Sequence, residues 1–141
     1  MDWKTSTAKG WNRLMPRLRG ELGPLERTVM DHIWEQGADV TVRDVLETKA
    51  GAGLAYTTVM TILDRLWRKG FLRRSRVGRA YVYRIRRTEQ EYLAGLMDRV
   101  LTGAADRRSV LLGFVRGIDQ EDLGHLRSMI REVEKERKRG P

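Results

Sequence analysis

LAYTTVMTILDRLWRKGFLRRSRVGRAYVYRIRR, residues 54–87, contains a helical period followed at once by a strand period. Val59, Ile62, Leu63 and Leu66 recur at helical spacing, which predicts a helix from about Thr57 to Lys69 with Gly70 as its stop. The opposite face presents Thr57, Thr58, Thr61, Arg65 and Arg68, small and polar at the start and basic further along. Such a face suits a helix whose N-terminal end enters a DNA major groove. Short hydroxyls there touch base edges and thymine methyls, and arginines hold phosphates. The same residues also describe an ordinary amphipathic helix with threonines near its cap. Phe71 to Arg76 then reads as a strand, Val77-Gly78 as the turn and Arg79 to Ile85 as the return strand. Alternation places Tyr81, Tyr83 and Ile85 on one face, and Arg73, Arg74, Arg76 and Arg79 surround the turn. From Arg65 to Arg87 there are ten basic residues and no acid. A basic-tipped hairpin directly after a groove-reading helix is a wing, suited to a minor groove or to phosphates.

Two helices are expected upstream. The first runs from about Pro24 to Gln36, with proline at an early helical position and Gly37 as the stop. Leu25, Val29 and Ile33, with Leu22, Met30 and Trp34 nearby, form its apolar face, and His32 lies outside that stripe. The second starts after Thr41, where Thr41 and Asp44 have the spacing of a capping box, and buries Val42, Val45 and Leu46. Three helices and a two- or three-stranded wing make a mostly α, winged helix-turn-helix domain.

Downstream, Thr88 and Glu91 form another capping pair opening a helix to about Leu101, with Leu93, Leu96, Met97, Val100 and Leu101 as its stripe. A helix from about Asp106 to Arg116 carries Val110, Leu111, Phe114 and Val115. A last one, from about Gln120 to Lys138, carries Leu123, Leu126, Ile130 and Val133, a seam of heptad-like spacing. Three short amphipathic helices make a poor core alone. They either fold back on the winged domain or pair with a second copy, and the second is the reading adopted: Leu96, Val100, Phe114, Leu123, Leu126, Ile130 and Val133 are the candidate dimer residues. The organisation expected is a flexible basic arm over 1–20, a DNA-binding domain over 21–87 and a helical dimerisation domain over 88–141. Met15 is a second candidate start.

Composition narrows the function. The 141 residues carry a formal charge of +9, and 40% of them are apolar. The surplus is +4 over residues 1–20, +5 over 21–88 and zero over 89–141, so it sits with the expected wing and arm. Such a surplus points to a polyanionic partner, nucleic acid before membrane. There is no cysteine and only two histidines, His32 and His125, which leaves no thiol nucleophile, disulfide framework or usual zinc site. No phosphate-binding loop or nucleophile elbow occurs. Neither enzyme chemistry, cofactor nor metal is expected. No apolar run approaches the length of a membrane span, no signal peptide is expected, and a cytoplasmic location follows.

LAYTTVMTILDRL (Leu54–Leu66), ELGPLERTVMDHIW (Glu21–Trp34), TVRDVL (Thr41–Leu46) and GRAYVY (Gly78–Tyr83) together resemble the BlaI/MecI penicillinase repressors. The resemblance covers about residues 20–137, and the arm before it has no counterpart. It implies a homodimeric repressor on an inverted repeat with a TACA/TGTA-type core, in front of β-lactamase or other operons. Thr57, Thr58 and Thr61 then occupy the positions that meet the major groove, with Arg65 further along the helix and Arg79 in the wing. Arg68 and Arg76 complete the candidate DNA-binding set. In the best-known members a membrane receptor-protease senses a β-lactam, and induction cuts the repressor at an Asn-Phe bond. SVLLGFV (Ser109–Val115) is similar to that segment, with Gly113-Phe114 in place of Asn-Phe. A copper-sensing branch uses a C-terminal cysteine cluster that this chain lacks.

Two other functions compete with a repressor. A ligand-gated winged-helix regulator would line a pocket with Met97, Phe114 and Met129. A non-specific nucleic-acid coat would draw on the overall charge and the arm.

Overall fold

The computed structural model describes residues 21–140; the arm expected over 1–20 lies outside them. The order is α1 (Pro24–Gln36), α2 (Val42–Leu46), α3 (Tyr56–Arg68), β1 (Leu72–Val77), β2 (Ala80–Ile85), α4 (Glu89–Thr102), α5 (Arg107–Gly117) and α6 (Gln120–Arg139). The fold is mostly helical with a two-stranded wing.

Local chemistry explains the boundaries. Pro24 opens α1, and Gly37 closes it at φ 66°, its N–H reaching the Ile33 carbonyl at 2.9 Å. At α2 the Thr41 hydroxyl accepts from the Asp44 N–H at 3.2 Å, and the Asp44 carboxylate accepts from the Thr41 N–H at 2.8 Å. Both halves of the capping box are present. After α2 the chain doubles back so closely that a Cβ on Gly51 would stand 2.3 Å from the Val45 carbonyl oxygen. Only glycine fits there.

The hairpin pairs antiparallel from Leu72↔Ile85 to Val77↔Ala80. The turn is therefore Gly78-Arg79, one residue later than Val77-Gly78. Gly78 takes φ 63° and no other residue type in the described chain has positive φ, so glycine sits at the first turn position, where a two-residue hairpin needs it. Val40 adds one bridge to Tyr83, with N–H to carbonyl distances of 3.0 and 2.8 Å.

By their contacts the residues divide into two compact units after Val100. The first has a continuous core built on Val29, Met30 and Ile33 of α1, Val45 of α2, and Val59, Leu63 and Leu66 of α3, closed by Phe71, Leu72 and Tyr83 from the wing. Leu25 departs from its expected place and is 50% exposed. Residues four apart on a helix turn by about 40° beyond a full circle, so Leu25 rotates off the stripe centred on Met30. Tyr92 of α4, past the boundary expected at residue 88, is buried in this same core. Its ring lies 5.4 Å from Trp34 and 5.5 Å from Phe71. The Trp34 indole N–H donates to the Arg87 carbonyl at 2.9 Å, and Glu21 pairs with both Arg87 and Arg99. The second unit holds α5 and α6, neither of which buries a residue.

Candidate nucleic-acid interface

Four buried side chains, Val59, Ile62, Leu63 and Leu66, press one face of α3 into the core and thereby turn the other outward. Thr57, Met60, Thr61, Arg65 and Arg68 are exposed on it, and Thr58 is half-buried. The exposed Thr61 hydroxyl donates to the Thr57 carbonyl at 2.9 Å, which uses its one proton and leaves its oxygen an acceptor. Thr57, Thr58, Thr61 and Arg65 share the wall of a cleft of about 430 Å³ with Pro24 and Leu25 from the start of α1. The structure thus brings together the threonines and Arg65 as the α3 spacing required. The exposure of Leu25 becomes part of this surface.

The run of cations from Arg65 to Arg87 separates into two populations. Arg65, Arg76 and Arg79 are exposed and pair with no carboxylate among the described residues. Arg68 is held by Asp64, Nε to Oδ2 at 2.8 Å, and Arg74 by the other oxygen of the same carboxylate at 3.0 Å. Lys69 pairs with the buried Glu26 at 2.6 Å, Arg84 with Asp39 at 3.0 Å and Arg87 with Glu21 at 3.1 Å. Charges without a carboxylate partner are the ones free to replace counterions on a polyanion; Arg76 additionally stands 5.4 Å from the Tyr81 ring centre. Arg65 lies on the outer end of α3 and Arg76 and Arg79 at the hairpin tip; Arg73 and Arg86, at the base of the hairpin, are also exposed and pair with no carboxylate among the described residues.

Sequence reading missed three contributors. Met60 lies between Thr57 and Thr61 on the exposed face and is legible there by helical spacing alone. Asp64 and Trp67 needed the tertiary structure, because their partner Arg74 arrives from the hairpin. Beside that group, burial pushes the Tyr83 phenol up, while the adjacent Arg74 guanidinium pulls it back in part.

The candidate dimer residues have different surroundings. Leu96 is half-buried against the first core and Val100 is half-buried. In the second unit Leu123 and Leu126 are half-buried, while Phe114, Ile130 and Val133 are exposed at 53%, 51% and 42%. Gly113 and Phe114 both lie on α5, exposed. No described helix is long and apolar enough to cross a membrane.

A two-helix turn whose second helix leads into a basic hairpin is the architecture of a winged-helix regulator. The sequence profile of the penicillinase repressor family matches residues 22–132. The transcriptional regulator BlaI of Mycobacterium tuberculosis is 41% identical over 117 residues, covering 80% of this chain and 85% of that protein. The chain belongs to the penicillinase repressor family, and so to the DNA-binding transcription repressors rather than to the enzymes. Among solved structures, a transcriptional regulator from Thermotoga maritima is 17% identical with a TM-score of 0.46, covering 94% of this chain and 92% of that one. FabT of Streptococcus pneumoniae, solved in complex with DNA, is 19% identical with a TM-score of 0.43, covering 96% and 94%. At scores this low neither likeness bears on function.

Proposed function

We propose that this protein is a cytoplasmic homodimeric repressor that reads an inverted-repeat operator through α3 and its wing. The observation that carries the reading is the row of exposed Thr57 and Thr61 and half-buried Thr58 beside Arg65, with Arg76 and Arg79 on the adjoining hairpin, none of these arginines paired to a carboxylate among the described residues. Threonines read base edges, Arg65 and the wing arginines take phosphates, and Arg68 contributes from its pair with Asp64. The apolar residues left uncovered on α5 and α6 support the dimer, since Phe114, Ile130 and Val133 gain cover from a second copy. Two copies present two reading helices to two half-sites.

The operator follows the TACA/TGTA pattern of the family, and the controlled genes belong to a β-lactam response. A membrane receptor-protease relieves repression by cutting at Gly113–Phe114. The cut removes α6 and its seam, and a weakened dimer releases DNA because both half-sites must be held together.

Anisotropy titration against a TACA/TGTA inverted repeat and a scrambled duplex tests the reading. The expected result is a preference of roughly a thousandfold with two chains per repeat. Equal affinity for both duplexes would overturn it.

A further inference from the structure

Arg74 differs from the other arginines of the wing. It stands opposite Tyr83 on the strand pair, on the hairpin face that also carries Leu72 and Tyr81. Its guanidinium carbon lies 3.5 Å from the Trp67 ring centre and 4.2 Å from that of Tyr81. Nη1 donates to Asp64 Oδ1 at 3.0 Å, and the side chain is 19% exposed, against 71% for Arg68. Asp64 and Trp67 belong to α3; Arg74 and Tyr81 belong to the hairpin.

We propose that Arg74 is a positioning residue that locks the wing to α3 at a fixed angle, and that it takes no DNA phosphate. The inference rests on the reading of α3 and the wing as one DNA interface. A guanidinium is planar and weakly hydrated, so it packs a ring against each face while its edge bonds a carboxylate. An ammonium is a compact, strongly hydrated point charge and cannot do all three. Asp64 compensates the Arg74 charge from α3, and its second oxygen holds Arg68 on the same helix. The need is physical. Buried Leu72 and Tyr83 and the Val40 bridge fix the base of the hairpin, but beyond Arg74 two largely exposed strands carry Arg76 and Arg79, and two strands alone are marginal. A wing free to swing would lose orientational freedom on binding, which weakens the complex; a wing already held does not.

The test uses the full chain and its Arg74→Lys, Arg74→Met, Trp67→Leu and Arg76→Ala variants. Each is titrated against the inverted repeat and the scrambled duplex over a range of salt concentrations, and a thermal melt checks folding. A lock predicts that Arg74→Lys, Arg74→Met and Trp67→Leu each weaken repeat binding about tenfold and narrow the preference. Their salt slope stays at the parent value, whereas Arg76→Ala lowers it by about one unit. Rescue by Arg74→Lys, or a slope lowered by about one in Arg74→Met, would identify a phosphate contact and overturn the proposal. Trp67→Leu leaves every charge in place, so parent-like binding by that variant overturns it too. The free protein supplies a separate readout. The Arg74 Nε–H proton resonance should be displaced by the two rings and should move back in Trp67→Leu. An undisplaced resonance removes the lock whatever the DNA result. A displaced resonance in a protein with no duplex preference removes the DNA reading instead, and with it any role for the lock in recognition.

Discussion

Thr61 gives its hydroxyl hydrogen to its own helix, at 2.9 Å from the Thr57 carbonyl. With that proton committed, an exposed threonine has an acceptor oxygen and a methyl group left for a partner, which fit an exocyclic base amine and a thymine methyl respectively. Thr58, half-buried one turn earlier, has less freedom and a more fixed position. Replacing either by alanine should therefore relax sequence preference, at roughly 1–3 kcal/mol per lost base contact, with the salt slope unchanged. Titrating each variant against operators altered one base pair at a time checks this. A loss shared equally by all sequences would take the threonines out of base reading. Residue identity alone does not sort the arginines in this way. Arg68 and Arg74 converge on one carboxylate, while Arg65 and Arg79 face no acid among the described residues, and both kinds lie in the same basic run.

Among the elements, α5 depends visibly on its cap. The Asp106 carboxylate accepts from the Ser109 hydroxyl at 2.5 Å and from the Ser109 N–H at 3.1 Å. These bonds, the hydroxyl first, hold Asp106 below the usual carboxylate range. A depressed folded value stabilises α5 at every pH above the ordinary carboxylate range, and that help is lost as pH falls through the depressed value. Acidification should fray the start of α5 while Asp106→Asn, which keeps a capping oxygen without the titration, loses that acid dependence. Amide exchange at Ser109 and Val110 across pH reads it out, and identical acid profiles for parent and variant would contradict the assignment. The wing is held from several sides: Phe71, Leu72 and Tyr83 are buried in the first core, Val40 bridges Tyr83, and Arg74 reaches Trp67 and Asp64 of α3.

For the molecule as a whole, the two units differ in how they bury apolar surface. The first closes its own core around Met30, Leu63 and Phe71. The second buries no side chain in α5 or α6 and leaves Ile130 and Val133 exposed. On the proposed reading a second copy covers this seam. Ile130→Glu places a charge on a face that already meets water, so the single chain should remain folded. The dimer should dissociate, and affinity for the inverted repeat should fall by about 10²-fold or more as the two half-sites are no longer linked. Sedimentation with matched DNA titration measures both. A variant that stays dimeric would move the interface elsewhere.

The sequence by itself determined the elements and their order. Helical spacing, the Thr41–Asp44 box, Pro24 and the stops at Gly37 and Gly70 act within a few residues of one another, so their consequences are written locally. The threonine face of α3 belongs to the same class, because burying Val59, Ile62, Leu63 and Leu66 leaves it nowhere to point but outward. Tertiary structure alone decided which charges are free and why Tyr92 belongs to the first core. It also decided that one arginine of the basic run, Arg74, is a joint between α3 and the wing. Each of these depends on partners brought together from distant stretches of chain. Ion pairing and stacking require contact in space, and spacing along the chain carries no record of it.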